Sequence, residues 1–359
     1  MMIMSVHPPG RSPGLSPSAP ASCTLVLHGP EVFDAGDVVF LVERLRPSRI
    51  IVSGVMGRTA AEESGIACEF ISVPPSRVLC DLDGSAILAN HGKTPLSGRI
   101  FGEIVASRLS PLGLVQLECS DGTLYVWNRP VDDFARNITR KTGYTLREVS
   151  SEGTPACAER SIRGCVAGEP VYIDGIVIGH ATGPDVVIRA VDGDIVPLSG
   201  LVPKPHGLEK ISGNRYTDLS RVWCKSGQIR TGTPAPGRQR LATGRVLFLD
   251  HCGHQMYTRL TPGICGIVSV GDDTTTVCGH IAAHLGIPVF GIVDGDQDDI
   301  VSASFSPGSV IAHAVRERDD DIGDEIGGMI PDGLVAWDDL VERLIRHLGE
   351  RVRITHPAE

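Results

Sequence analysis

Residues 244–299 read GRVLFLDHCGHQMYTRLTPGICGIVSVGDDTTTVCGHIAAHLGIPVFGIVDGDQDD, and this stretch decides the fold class. Three apolar runs, 246–249, 264–270 and 289–293, are short, rich in Val, Ile and Leu, and each is followed by a cluster of Gly and Asp. Strands buried on both faces of a parallel sheet have this texture. Residues 274–285 have helix length, and Gly286 and Pro288 form a stop signal. Strand, helix, strand over so short a span is a βαβ crossover, right-handed by default. Open α/β sheets bind ligands beyond the carboxyl ends of their strands. Polar residues gather there: Asp250, His251 and His254, then Gly271, Asp272, Asp273, Thr274 and Thr275, then Asp294, Asp296, Asp298 and Asp299.

The whole chain narrows the function classes. Its 359 residues allow two or three domains, and 42% hydrophobic with 21% charged residues is ordinary for a soluble globular protein. A net charge of -10 with no offsetting Lys/Arg block argues against non-specific nucleic-acid binding. No apolar run approaches the roughly 20 residues that span a bilayer, so no membrane contact is expected. Residues 1–22, rich in Pro, Ser and Gly, read as a disordered leader rather than a signal peptide. The ten cysteines include no CxxC pair and are expected to be reduced residues of a cytoplasmic protein. Homo-oligomer formation stays open.

Residues 23–150 repeat the theme of strand, Gly-rich turn and helix. A strand at 24–27 ends in His28-Gly29-Pro30-Glu31, and a helix follows at about 37–45. The strand 50–52 runs into a loop, 53–59, before a short helix at 60–64. Gly54, Gly57, Arg58 and Thr59 in that loop could cradle an anion through free N–H groups and a fixed cation. The alternative is a tight turn with a surface arginine, since neither a P-loop nor a GxGxxG fingerprint is present. His91 and Lys93 follow the strand 86–88 as anion-binding or acid–base candidates, or as plain loop residues. A hairpin at 114–127 and a helix at 131–142 close the domain. From 153 to 241 the texture is β-rich, with expected strands at 170–178, 185–190 and 195–198 and a Pro/Gly linker at 232–240.

The expected architecture is therefore α/β: two Rossmann-like parallel-sheet domains, 23–150 and 242–359, flanking a small β-rich middle. In the last domain the acidic run 316–328, RERDDDIGDEIGG, reads as a solvated loop or helix face.

Asp294 and Asp296 offer the hard oxygen ligands that suit Mg²⁺ beside a substrate phosphate, or else they are turn residues. Gly271, Asp272, Asp273, Thr274 and Thr275 could hold a small phosphorylated ligand, with one of them needed as a helix cap. Asp250 could orient His251 or His254 as a general base, or the histidines could ligate a metal. The Asp294-x-Asp296 pair after a strand resembles the acidic pair of the toprim nucleotidyl-transfer fold, but the expected earlier glutamate is replaced by Gly271-Asp272. The stretch 266–291 is similar to the phosphohistidine swivelling domain, but Val277 stands where that family has its catalytic histidine.

A broader resemblance covers most of the chain after the leader. HGPEVFDAG (28–36), GVMGRTAAEESG (54–65), NHGKTPLSGRIFGEIV (90–105), LDHCGHQMY (249–257) and GDDTTTVCGHIAAHLGIPVFGIVDGDQDD (271–299) carry it. Together they resemble an uncharacterised protein family of methanogenic archaea, a domain of unknown function. The resemblance implies a cytoplasmic archaeal protein tied to methanogen physiology and supplies no reaction. From the residues, the expectation is a Mg²⁺-dependent phosphoryl- or nucleotidyl-transfer or hydrolysis enzyme acting on a small phosphorylated metabolite. The alternative is a noncatalytic nucleotide- or cofactor-binding sensor or assembly protein.

Overall fold

The computed structural model describes residues 23–82, 85–151, 156–213, 216–220, 222–235, 237, 241–295, 298, 300–301 and 303–356. The expected leader, Asp296 and Asp299 lie outside the described residues.

The N-terminal sheet has seven strands: β1 (Thr24–His28), β2 (Arg49–Ser53), β3 (Glu69–Ile71), β4 (Ala86–Asn90), β5 (Leu114–Glu118), β6 (Thr123–Trp127) and β7 (Thr145–Val149). Their order is β3-β2-β1-β4-β5-β6-β7, all parallel except the β5/β6 hairpin. The order reverses between β1 and β4. Alternation along β1 sends Leu25 and Leu27 to one face and Val26 to the other, so both faces need cover. Helix α1 (Glu31–Asp34), α2 (Asp37–Leu45), α3 (Val55–Ser64) and α6 (Asp133–Thr142) cover the first face. Helix α4 (Pro75–Cys80) and α5 (Pro95–Leu109) cover the second.

The loop expected at 53–59 is a correction. Helix α3 begins at Val55, straight after Gly54, so Gly57, Arg58 and Thr59 are helical. Gly57 serves close packing, since a Cβ there would lie 3.1 Å from the Val52 side chain.

The middle region forms two small antiparallel sheets. One contains β8 (Glu159–Arg163), β11 (Asp185–Val191) and β12 (Asp194–Ser199). The other contains β9 (Pro170–Ile173), β10 (Ile176–Ala181), β13 (Leu201–Pro203) and β14 (Cys224–Ser226). The run 170–178, expected as one strand, breaks into a hairpin at Asp174-Gly175, both in the left-handed region with φ of 49° and 89°. Helix α7 (Pro205–Ser212) packs on β10.

The C-terminal sheet joins β15 (Thr243–Asp250), β16 (Ile264–Val270), β17 (Val289–Val293), β18 (Val310–Ala314), β19 (Val335–Ala336) and β20 (Val352–Thr355). Its order is β19-β15-β16-β17-β18-β20, with four parallel central strands and antiparallel edges. The central strands follow chain order without reversal. The chain is thus mixed α/β, as expected at that level; the N-terminal sheet reverses its strand order, while among the described residues the C-terminal sheet shows no such reversal. Short helix α8 (Met256–Arg259) and helix α9 (Asp272–Leu285) lie on one face, while α10 (Asp319–Gly327) and α11 (Trp337–Leu348) cover the other. Gly266 lets Trp337 lie flat on β16, since a Cβ there would sit 1.9 Å from the ring.

Arg230 joins the parts. Its guanidinium donates to Asp34 at 2.9 and 2.6 Å and to Glu63 at 3.1 and 2.6 Å, and it approaches His280 Nε2 at 3.4 Å. Its side chain is only 3% exposed. Burial lowers its proton affinity, but the two carboxylates more than reverse that and hold it fully charged. Breaking a buried ion network by removing one partner costs about 3–5 kcal/mol, because the remaining charges stay buried unpaired. Arg230→Met should lose stability of that order in urea unfolding. Arg230→Lys, which keeps the charge but not the planar fork, should recover only part of it. Wild-type stability in Arg230→Met would refute the reading.

Candidate functional site

The parallel strands β15 to β18 end on one edge, and each delivers an acidic residue there. Asp250 closes β15, Asp272 opens α9 after β16, Asp294 follows β17, and Asp319 opens α10 after β18. The Asp272 carboxylate accepts hydrogen bonds from the backbone N–H groups of Asp294 at 3.0 Å and Gly295 at 3.1 Å. It thus ties the ends of β16 and β17 together. Asp272, Asp294 and Asp319 each offer one oxygen, and these lie within 4.8 Å of one another. Asp250, His251 and Asp320 form an adjoining group of the same tightness.

His251 links the two groups. Its Nδ1 is 2.6 Å from Asp250 and 3.6 Å from Asp320, while its Nε2 is 4.0 Å from Asp319. The residue sits at φ 45°, unusual for a side-chain-bearing position. The ring lies over Gly271, whose own φ is 97°, and a Cβ there would be 2.9 Å from Nε2. Glycine at 271 is needed for both reasons.

Crowded carboxylates raise each other's proton affinity. Burial, then the charge of Asp294, lifts Asp319 to about 6, with His251 opposing. Burial, then the charge of Asp298, lifts Asp273 to about 7, with Lys204 opposing. Lys204 Nζ bonds Asp298 at 2.8 Å, and the Asp298 N–H reaches Asp273 at 3.3 Å. Asp273 therefore points toward the middle region, away from the group formed by Asp272.

The other residues singled out in the sequence fall in different places. His254 is exposed, and its ring lies 3.4 Å from the Gln255 side-chain amide. Thr274 is buried. The Thr275 hydroxyl is shared with Ser269 at 2.8 Å, and the Thr276 hydroxyl donates to the Asp272 carbonyl at 2.9 Å. The two hydroxyls face helix and strand. Asp296 lies outside the described residues. Gly54 precedes α3 as its N-cap, and Gly57, Arg58 and Thr59 belong to α3, at its contact with α8. There the Arg58 guanidinium lies 4.1 Å from the Tyr257 ring centre and 2.8 Å from Glu62, and Thr59 bonds the Tyr257 hydroxyl at 2.9 Å. His91 pairs with Asp37 at 2.7 Å, and Lys93 pairs with Glu169 and Ser226.

Asp321, Asp324 and Glu325 are exposed on α10, in keeping with a solvated helix face, and Asp319 is the exception. Asp319 is buried because it repeats the placement of Asp272, first in a helix after a parallel strand. That repeat was the signal available in the sequence.

A carboxyl whose proton affinity is raised on folding favours the folded state at low pH. For Asp319 and Asp273 the contribution is whole below the ordinary value of 3.8 and is lost as pH rises through about 6 and about 7. In a chelator, stability from urea unfolding should therefore fall between pH 4 and 7 on account of these groups, an interval on the order of their shifts. Asp319→Asn should flatten the lower half of that fall. An unchanged profile would show that Asp319 keeps an ordinary carboxylate in the fold.

No helix among the described residues is long and apolar enough to cross a membrane. The chain is 30% identical over 325 residues to "Uncharacterized protein MJ0065" of Methanocaldococcus jannaschii, covering 83% of this chain and 88% of that protein. No solved structure matches. A family model described as an uncharacterized protein conserved in archaea matches residues 25–333, and the chain belongs to that family, DUF2117.

Proposed function

We propose that this protein is a Mg²⁺-dependent enzyme of phosphoryl or nucleotidyl transfer, or hydrolysis, acting on a small phosphorylated metabolite. The observation that carries the reading is the convergence of Asp272, Asp294 and Asp319 from three successive strand ends, beside the Asp250–His251 pair. Three hard oxygen donors with no thiolate among them fit Mg²⁺, and burial, then the charge of Asp294, raises the proton affinity of Asp319, a repulsion that a bound cation would relieve. A bound divalent cation supplies charge neutralisation for a phosphate and its leaving oxygen.

The chain's own residues would do the rest. Asp272, tied to the backbone of residues 294 and 295, would keep the carboxylates in register. His251, oriented through Nδ1 by Asp250, would take a proton at Nε2 from water or a substrate hydroxyl. The backbone N–H groups at the start of α9 favour a phosphate beside them.

The second reading is a noncatalytic sensor or assembly protein that binds a nucleotide or cofactor precursor and is linked to methanogen metabolism. It is favoured by the three carboxylates of Asp250, Asp319 and Asp320 around the His251 ring, which suit a ring held in place by its neighbours. Two sets of measurements separate the readings. Melting is followed with Mg²⁺ or Mn²⁺ and a panel of nucleotides and sugar phosphates. Metal at about 100 times its Kd should add about 2.7 kcal/mol to wild type and nothing to Asp294→Asn/Asp319→Asn. On whichever phosphorylated compound shifts the melt, His251→Ala should lower turnover by about 10²–10⁴ without loss of binding. An equal metal shift in the double variant would sink the site. Binding with no turnover in wild type would favour the sensor.

A further inference from the structure

The Asp250–His251–Asp320 group differs in chemistry from the three aspartates beside it. Asp272, Asp294 and Asp319 offer oxygen alone, whereas this group adds an imidazole nitrogen to two carboxylates. All-oxygen sets suit Mg²⁺, while imidazole suits Zn²⁺ and its transition-metal neighbours. The nitrogen donor also separates the group from an ordinary acidic surface. Two elements supply it: Asp250 closes β15 with His251 directly after, and Asp320 stands in the first turn of α10.

The contacts inside the group leave one of them unmade. His251 Nδ1 is 2.6 Å from Asp250 Oδ1 and 3.6 Å from Asp320 Oδ1. Nδ1 carries one proton at most, so it can serve Asp250, but at 3.6 Å it makes no hydrogen bond to Asp320. Arg318 takes the other Asp320 oxygen, Oδ2. Bonds of about 2.0–2.2 Å from Zn²⁺ to nitrogen and oxygen put tetrahedral donors roughly 3.4 Å apart. The gap from Nδ1 to Asp320 has that span, and the contact with Asp250 needs to open by roughly 0.8 Å to match it. Asp250 and His251 are exposed and Asp320 half-buried, so an ion can enter from solvent.

We propose that Asp250, His251 and Asp320 form a second metal position, taking Zn²⁺ or a like transition-metal ion through His251 Nδ1 and one oxygen of each aspartate. Three protein donors leave a further place open to water or substrate. The inference extends the reading of these strand ends as a cation site and rests on it, but its donors are different, so the two can fail separately. An ion on Nδ1 keeps the ring proton on Nε2, and His251 then serves as a base only while this position is empty.

Full-length protein saturated with Mg²⁺ is titrated with Co²⁺, which stands in for Zn²⁺ and absorbs strongly in the visible only in low-coordinate sites. One equivalent should bind with that absorption, and Zn²⁺ should displace it. His251→Gln and Asp320→Asn should each weaken it by at least the roughly tenfold that loss of even an outer-shell partner costs. Asp294→Asn should leave it intact. Displacement of all Co²⁺ by Mg²⁺ would assign the ion to the aspartate group, and a near-ultraviolet thiolate band would assign it to Cys252 or another cysteine. Either result overturns the proposal, and so does binding that His251→Gln leaves unchanged. Co²⁺ held through His251 in a protein whose melting Mg²⁺ does not shift would sink the reading of the three aspartates alone. If His251→Gln does not fold, Asp320→Asn, at a half-buried position, decides in its place.

Discussion

The arrangement depends on one buried cation. Arg230 brings a full charge into a place where its own desolvation is unfavourable, and it is tolerated because Asp34 and Glu63 satisfy its fork from two helices. Those helices, α1 and α3, belong to the N-terminal part, whereas His280 on its other side belongs to α9. The middle of α9 is thereby held against the N-terminal part, and the first turn of the same helix carries Asp272 and Asp273. One guanidinium thus ties the helix that carries the first aspartates of the group to the N-terminal part.

The site itself runs against stability. Asp272, Asp294, Asp319 and Asp320 accumulate negative charge at one sheet edge, and the fold offers His251 as the nearest partial relief. Packing alone would not select such a group, because replacing a crowded carboxylate by its amide relieves repulsion. Strain points the same way: His251 occupies a left-handed backbone position over a glycine that admits no side chain. A cation seated among the aspartates would turn repulsion into attraction, which gives the strand ends a physical purpose.

Much of this was legible in the sequence, and the failures have identifiable causes. The Val- and Ile-rich runs gave the buried parallel strands because a strand covered on both faces admits little else. Asp272 and Asp294 were legible from their positions just past those runs. Arg230 was not: it lies next to a Gly/Pro-rich linker without periodicity, and its partners are 196 and 167 residues away. Asp319 was hidden by its neighbours, since a dense acidic run looks like a solvated face even when its first member is buried. The start of α3 was misplaced because Gly54 and Gly57 suggest a loop. In the fold the first ends the strand-to-helix turn and the second admits Val52. Strand order in the C-terminal sheet was beyond reach, because the βαβ pattern is the same whether or not the order reverses.

The most direct test of the account is anomalous diffraction from crystals soaked in Mn²⁺, which stands in for Mg²⁺ and can be located unambiguously. The account predicts one strong peak among the carboxylates of Asp272, Asp294 and Asp319, within about 2.0–2.6 Å of their oxygens as hard cations require. A fully soaked crystal with no peak there, and the three carboxylates as close as before, would contradict it.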